Sequence, residues 1–134
     1  MAIEWSDDLA TGVSGIDSQH RELFQRINNL LDACKMGKGK AEVKNVIQFL
    51  DDYVVTHFAA EESYMQKHDY PGYAEHKAQH LVFMENFAKL KAHFEKDGPG
   101  VLLVVEANHL IVEWLKEHIR KIDRALGAFL KTRI

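Results

Sequence analysis

Cysteine, proline and long apolar runs are all scarce in this chain of 134 residues. The one cysteine, Cys34, rules out an internal disulfide and agrees with a reducing compartment. The two prolines sit in Asp69-Tyr70-Pro71-Gly72 and Asp97-Gly98-Pro99-Gly100, so they separate periodic segments instead of interrupting them. No apolar stretch approaches the roughly 20 residues that a membrane-spanning helix needs. The start, Met1-Ala2-Ile3-Glu4-Trp5, lacks the charged-then-apolar layout of a secretory signal. Membrane insertion is therefore not expected, and a cytoplasmic location is. Lysine and arginine total 17 against 20 aspartates and glutamates, a net charge of −3 with no basic cluster, which removes the electrostatic case for binding nucleic acid. Strand-type alternation and internal repeats are also missing.

What is present is helical periodicity. Hydrophobic residues make up 46% of the chain and charged residues 28%, enough for one globular domain with a real core spanning residues 1–134. Steps of three and four residues mark helices at about 17–36, 41–67, 73–96, and 101–123 and beyond. Asp17 or Ser18 is the expected cap of the first helix, and residues 1–16, with Gly12 and Gly15, read as an irregular N-terminal arm. Short connections favour antiparallel neighbours. The expected fold is all-α, an up-down-up-down antiparallel four-helix bundle.

The compositional oddity is eight histidines, several of which occupy positions where a core hydrophobe belongs. One seam reads His20, Leu23, Ile27, Leu30, Cys34. The next reads Val43, Ile47, Leu50, Val54, His57, Glu61, Met65. The third begins His76, His80 and continues Phe83, Phe87, Leu90, Phe94. The fourth reads Ile111, Leu115, His118, Ile122, with Asp123 alongside. Burying so many ionisable groups costs several kcal/mol each, about 3 or more, unless they are paired or bind a metal.

Numbering places these groups at one height in the bundle. His20 precedes Gly37 by 37 − 20 = 17 residues and His57 follows Lys40 by 57 − 40 = 17. His80 precedes Asp97 by 97 − 80 = 17, and His118 follows Gly100 by 118 − 100 = 18. Around the middle turn, Glu61 precedes Asp69 by 8 and His80 follows Gly72 by 8. Imidazole and carboxylate donors without thiolate suit iron, manganese or zinc. Five imidazoles and two carboxylates exceed what one ion takes and suit two, with the carboxylates bridging. His57/Glu61 and His76/His80 share a helix face, whereas His118 and Asp123, five residues apart, would point about 140° away from each other on a regular helix. A bulge or helix end is expected there if both are ligands.

The chain resembles the hemerythrins, and the bacterial ones in particular, over almost its whole length. The resemblance rests on Trp5, Gly12-Val13, Ile16-Asp17-x-Gln19-His20, His57-Phe58-x-x-Glu61-Glu62-x-x-Met65, His76-x-x-x-His80 and Trp114-Leu115-x-x-His118-Ile119-x-x-x-Asp123. It implies two non-haem iron ions with a bridging oxo or hydroxo group. It further implies His76, His80 and His118 on one iron, His20 and His57 on the other, and Glu61 and Asp123 as bridges. The iron with two histidines would keep a position open for O₂, or for nitric oxide or a small anion such as azide. Leu23, Phe58, Trp114, Leu115 and Ile119, each one to four residues from a ligand, are the expected apolar walls of an O₂ pocket.

Three uses of such a centre differ in class: reversible O₂ storage or delivery without turnover, sensing of O₂, nitric oxide or redox state, and enzymatic reduction of peroxide, O₂ or nitric oxide. Neutral, histidine-rich ligation favours reversible binding, so a carrier and not an enzyme is expected. The remaining polar residues have plainer expectations. His68 and His93 read as solvated surface histidines, Glu106 and His109 as an incidental surface pair, and Glu62 as solvated because it faces about 100° from Glu61. Asn108 reads as a buried amide on the fourth seam, Cys34 as a small core residue, and Phe83, Phe87 and Phe94 as core.

Overall fold

The computed structural model describes residues 3–133; residues 1 and 2 of the expected arm, and residue 134, lie outside the described residues. Helix α1 spans Ser14–Lys35, α2 Lys40–Lys67 and α3 Tyr73–Asp97. The fourth helix, α4, runs without a backbone break over residues 101–131. It consists of α segments Val101–Ala107, Trp114–His118 and Arg124–Lys131, separated by π-helical turns at Asn108–Glu113 and Ile119–Asp123. Contacts run from α1 to α2, α2 to α3, α3 to α4 and α4 back to α1, closing an antiparallel four-helix bundle.

The sequence periodicity explains the packing. Val43, Ile47, Leu50 and Val54 on α2 and Phe83, Phe87, Leu90 and Phe94 on α3 are all buried, one residue per turn. They belong to a large apolar cluster that fills the bundle toward the 36–39 and 98–100 turns. A smaller cluster of Val13, Ile16, Met65, Leu126 and Leu130 closes the other end. Between the two lies a layer of buried polar side chains: His20, His57, Glu61, His76, His80, His118 and Asp123.

Helix α1 begins three residues before the expected start at 17, so the irregular arm ends at Val13. Neither Asp17 nor Ser18 caps it; the capping position is Val13, in an extended conformation, with no side-chain cap. Asp17 turns back onto the arm instead. Its Oδ1 accepts from the Thr11 amide and hydroxyl, both at 2.8 Å, and its Oδ2 from the Gly12 amide at 3.3 Å. The arm is tied down elsewhere too. Asn28 exchanges two 2.9 Å hydrogen bonds with the Ile3 backbone, and Arg120 pairs with Asp8 at 2.7 Å. It crosses α4 where Gly127 removes a side chain: a Cβ there would sit 2.3 Å from the Thr11 carbonyl oxygen. Among the described residues, no helix is long and apolar enough to cross a membrane.

Candidate metal centre

Each helix contributes to the polar layer from its buried stripe. His20 comes from α1, His57 and Glu61 from α2, His76 and His80 from α3, and His118 and Asp123 from α4; none is more than 3% exposed. They form two overlapping groups of mutually close donor atoms. One contains Glu61, His76, His80, His118 and Asp123, the other His20, His57, Glu61 and Asp123, with all donor atoms of a group within 4.8 Å of one another. The two carboxylates are common to both.

The separations suit donors aimed at ions. Glu61 Oε1 lies 3.1 Å from His80 Nε2, 3.5 Å from His57 Nε2 and 3.7 Å from His76 Nε2, while its Oε2 is 3.7 Å from His20 Nε2. Asp123 Oδ1 lies 2.9 Å from His76 Nε2 and 3.2 Å from His118 Nε2, and Oδ2 is 3.1 Å from His20 Nε2. Two donors bonded at about 2.1 Å to one ion and at right angles to each other would be roughly 3 Å apart. Despite this closeness, these nitrogens and carboxylate oxygens have no hydrogen-bond partner with acceptable geometry. They converge on shared points and not on each other. Buried polar atoms left in that condition are costly, and metal ions would satisfy them together.

Electrostatics divide the imidazoles of the layer into neutral and protonated ones. Burial lowers His57 to a pKa of about 4, which keeps its imidazole neutral. Burial also opposes charge on His20 and His76, but Asp123 and Glu61 outweigh it and raise them to about 10 and about 9. Burial and Asp123 push Glu61 up, yet His57, His20 and His76 hold it below the ordinary carboxylate value. Asp123 is likewise held well below its usual value, against burial, by His118, His20 and His76. Without metal, the layer is a network of carboxylates and partly protonated imidazoles.

The five-residue step from His118 to Asp123 coincides with the π turn at Ile119–Asp123, the departure from regular helix that the spacing demands. The second π turn, Asn108–Glu113, has no counterpart in the sequence reading. Asn108 is buried as expected, but it donates to the Val104 carbonyl of its own helix at 3.1 Å.

Several polar residues differ from their expected roles. Glu62 is not simply solvated: its Oε2 accepts from His80 Nδ1 at 3.0 Å, and the side chain is 23% exposed. The sequence reading assigned Gln19 no role; its Oε1 accepts from His57 Nδ1 at 2.8 Å. His93 is not a solvated surface residue, because it contacts Glu106 across the α3–α4 interface and lies 3.7 Å from Asp97. Glu106 therefore pairs with His93 and not with His109, which is exposed and lies 3.5 Å from Glu113. His68 and Cys34 are half-buried.

Of the expected pocket walls, Leu23, Leu115 and Ile119 are fully buried in the cluster beside the polar layer. Phe58 stacks on His80 at 3.8 Å and 7°, closer than its 5.8 Å to His57. It also borders a surface groove with Val55, Ala59, Leu81 and Met84. Trp114 is half-buried and stacks on His118 at 4.6 Å and 13°. These two aromatic rings thus sit against the group of three histidines.

Residues 11–130 match the family described as the hemerythrin HHE cation binding domain. A bacteriohemerythrin of Pseudomonas aeruginosa is 37% identical over 119 residues, covering 89% of this chain and 75% of the relative. The bacteriohemerythrin of Methylococcus capsulatus is 33% identical over 123 residues, covering 92% of each. A crystal structure of wild-type hemerythrin superposes with a TM-score of 0.83 at 32% identity, covering 96% of this chain and 97% of that one. Sequence match, shared bundle and the buried histidine–carboxylate layer agree, and the chain belongs to the hemerythrin family.

Proposed function

We propose that this chain binds O₂ reversibly at a non-haem di-iron centre and serves in oxygen storage or delivery. The observation that carries this reading is the pair of overlapping donor groups sharing Glu61 and Asp123. His76, His80 and His118 would hold one ion and His20 and His57 the other, with Glu61 and Asp123 available to both. The three-histidine group offers five protein donors and the two-histidine group four, so the open position would fall at the two-histidine ion. When bound, a pair of ferrous ions would supply the electrons for O₂ uptake.

The chain's own residues do the rest. His57, kept neutral by burial, offers a lone pair without competing for a proton. Glu61 and Asp123, held ionised, offset the charge of both cations. Leu23, Leu115 and Ile119, with no measurable exposure, keep water and outside protons from the layer, which is what reversibility requires. Neutral imidazole ligation stabilises high-valent iron less than a carboxylate-rich set would, and this favours binding over O–O cleavage. Small anions such as azide, and nitric oxide, are candidate occupants of the same open position.

The test is to measure iron per chain and then cycle the reduced protein between O₂ and argon while following its charge-transfer absorbance. Two irons and full recovery over several cycles are expected. Loss of the adduct within one cycle, with sustained turnover of peroxide or nitric oxide, would replace the carrier by an enzyme.

A further inference from the structure

The metal-facing side of the layer is nearly symmetric in its carboxylates, but the outward side is not. His57 turns Nε2 to the centre, so its neutral ring carries the proton on Nδ1 and donates it to Gln19 Oε1 at 2.8 Å. His80 likewise turns Nε2 to the centre and donates from Nδ1 to Glu62 Oε2 at 3.0 Å. The two acceptors arise by one rule. Gln19 precedes His20 on α1 and reaches the histidine of α2, while Glu62 follows Glu61 on α2 and reaches the histidine of α3. A residue about 100° around the helix from a ligand faces the neighbouring helix, where the outward nitrogen of the next ligand lies. The chemistry of the two acceptors differs: one is a neutral amide, the other a carboxylate. Among the hydrogen bonds found for the five histidines of the layer, these are the two that leave it outward.

We infer that Glu62 and Gln19 are positioning residues that make the two metal positions electronically unequal, an anionic acceptor favouring the oxidised ion in the His76/His80/His118 group and a neutral one leaving the His20/His57 group without that bias. The inference rests on the di-iron reading above. An acceptor behind a ligating imidazole fixes the ring and raises its donor strength, and the effect grows when the acceptor carries negative charge. Glu62 is well placed to exert it. Phe58 stacks on the same imidazole and shields one face of the ring from solvent, so the hydrogen bond to Glu62 is held beside an apolar surface. Gln19 is matched to the opposite task, because an amide oxygen orients His57 without adding charge.

The test exchanges the acceptors. Glu62→Gln keeps an acceptor and removes the charge; Gln19→Glu, on a different helix, adds a charge and carries the same test in the opposite direction. Readouts are iron per chain, the ferric/ferrous midpoint potential, and Mössbauer spectra of ⁵⁷Fe-loaded protein. A further readout, independent of iron chemistry, is ¹⁵N NMR of the zinc-loaded protein, where the His80 Nδ1 proton should lose its strongly hydrogen-bonded shift in Glu62→Ala. Glu62→Gln should retain two irons and shift the ferric/ferrous equilibrium toward ferrous by about tenfold, or about 59 mV for one electron, with one of two Mössbauer doublets altered. Gln19→Glu should shift it toward ferric and alter the other doublet. A two-iron chain in which neither exchange moves the potential or a doublet overturns this inference and leaves the di-iron reading standing. A wild-type chain that does not hold two irons overturns both.

Discussion

Asp123 follows His118 by five residues on one helix, yet its Oδ1 lies 3.2 Å from His118 Nε2. A regular helix turns about 100° per residue, so five residues would leave the two side chains about 140° apart. The π turn at Ile119–Asp123 spends more residues on one revolution and restores a common face. The turn at Asn108–Glu113 does the same for the apolar part of α4. Leu103, Ala107, Ile111, Leu115, Ile119, Asp123 and Gly127 are all buried, in steps of four from 103 to 127. Over 127 − 103 = 24 residues a regular helix would rotate such a row about 240° off its face. Two extra residues, one absorbed in each π turn, take back about 200° of this.

Deleting Lys121, an exposed residue inside the π turn at Ile119–Asp123, should therefore be tolerated. It brings His118 and Asp123 to an ordinary four-residue spacing and removes the need for the bulge. The exposed 3.0 Å pair between Lys121 and Glu117 is lost with it, a change of about 1 kcal/mol at most. Iron content should stay near that of the parent. An alanine inserted after Lys121 makes the spacing six and should lose iron. If metal analysis shows the deletion and the insertion losing iron alike, the register argument is wrong.

The protonation pattern predicts how the metal-free protein, prepared by chelation, responds to pH. His20 and His76 have folded pKa values raised to about 10 and about 9. Their stabilisation is full below the ordinary histidine value of 6.5 and drains away as pH rises toward those values. His57, lowered to about 4, acts in the other direction: as pH falls from 6.5 toward 4 the unfolded chain gains a proton that the buried ring resists. Glu61 and Asp123, both lowered, also lose their contribution at acid pH. Thermal melting of the metal-free protein should be highest near pH 6.5 and fall on both sides. Loading with zinc at pH 7 should release protons from His20 and His76, visible as a buffer-dependent heat in titration calorimetry. A flat melting profile between pH 5 and 9, with no buffer dependence, would contradict this account.

Gly127 tests the seat of the arm. An added Cβ would lie 2.3 Å from the Thr11 carbonyl oxygen and 2.8 Å from Thr11 Cβ, so either the arm or α4 must shift. Gly127→Ala should destabilise by about 1–3 kcal/mol through overpacking, against the small gain alanine brings to an exposed helix. A melting temperature equal to or above that of the parent would show that the arm yields freely.

The buried polar layer was legible in the sequence because its members, Asp123 apart, displaced apolar residues from seams whose period was otherwise unbroken, as His57 and Glu61 do between Val54 and Met65. Heights followed from helix rise and turn position. The residues behind the ligands were not legible on the same grounds. Glu62 is off the seam of its own helix, and only the pairing of α2 with α3 shows that this direction leads to His80. The start of α1 was misplaced because Asp17 is an ordinary capping residue by type, while its carboxylate serves the arm five and six residues before it. The Asn108–Glu113 turn left its trace in the row of four-residue steps, which a reading confined to the ligand end did not use.

Leu115 separates the protective role of the apolar wall from the ligand set. It is fully buried, three residues before His118 on the ligand face of α4, and belongs to the same apolar cluster as Leu23 and Ile119. Leu115→Ala removes side-chain volume without touching a donor atom, so iron content should remain near two per chain. Stability should fall by about 2–5 kcal/mol, the usual range for a leucine truncated in a packed core, and read out as a lower melting temperature. The space created adjoins a layer rich in charge and open donors, a place where water gains hydrogen bonds on entering. Water and protons that reach the layer should speed irreversible oxidation of the oxygenated protein. Leu115→Phe should fill the space again and slow oxidation relative to Leu115→Ala, even if its bulk costs some stability. Phe58→Ala should act in the same direction as Leu115→Ala but more weakly, because Phe58 stacks on His80 and meets the two-histidine group only at the more distant His57 ring. The measurement is the decay of the charge-transfer band in air after oxygenation, compared across the three variants at matched iron content. Equal decay rates in Leu115→Ala and the parent would mean that the wall is packing alone, and that exclusion of water rests on other residues.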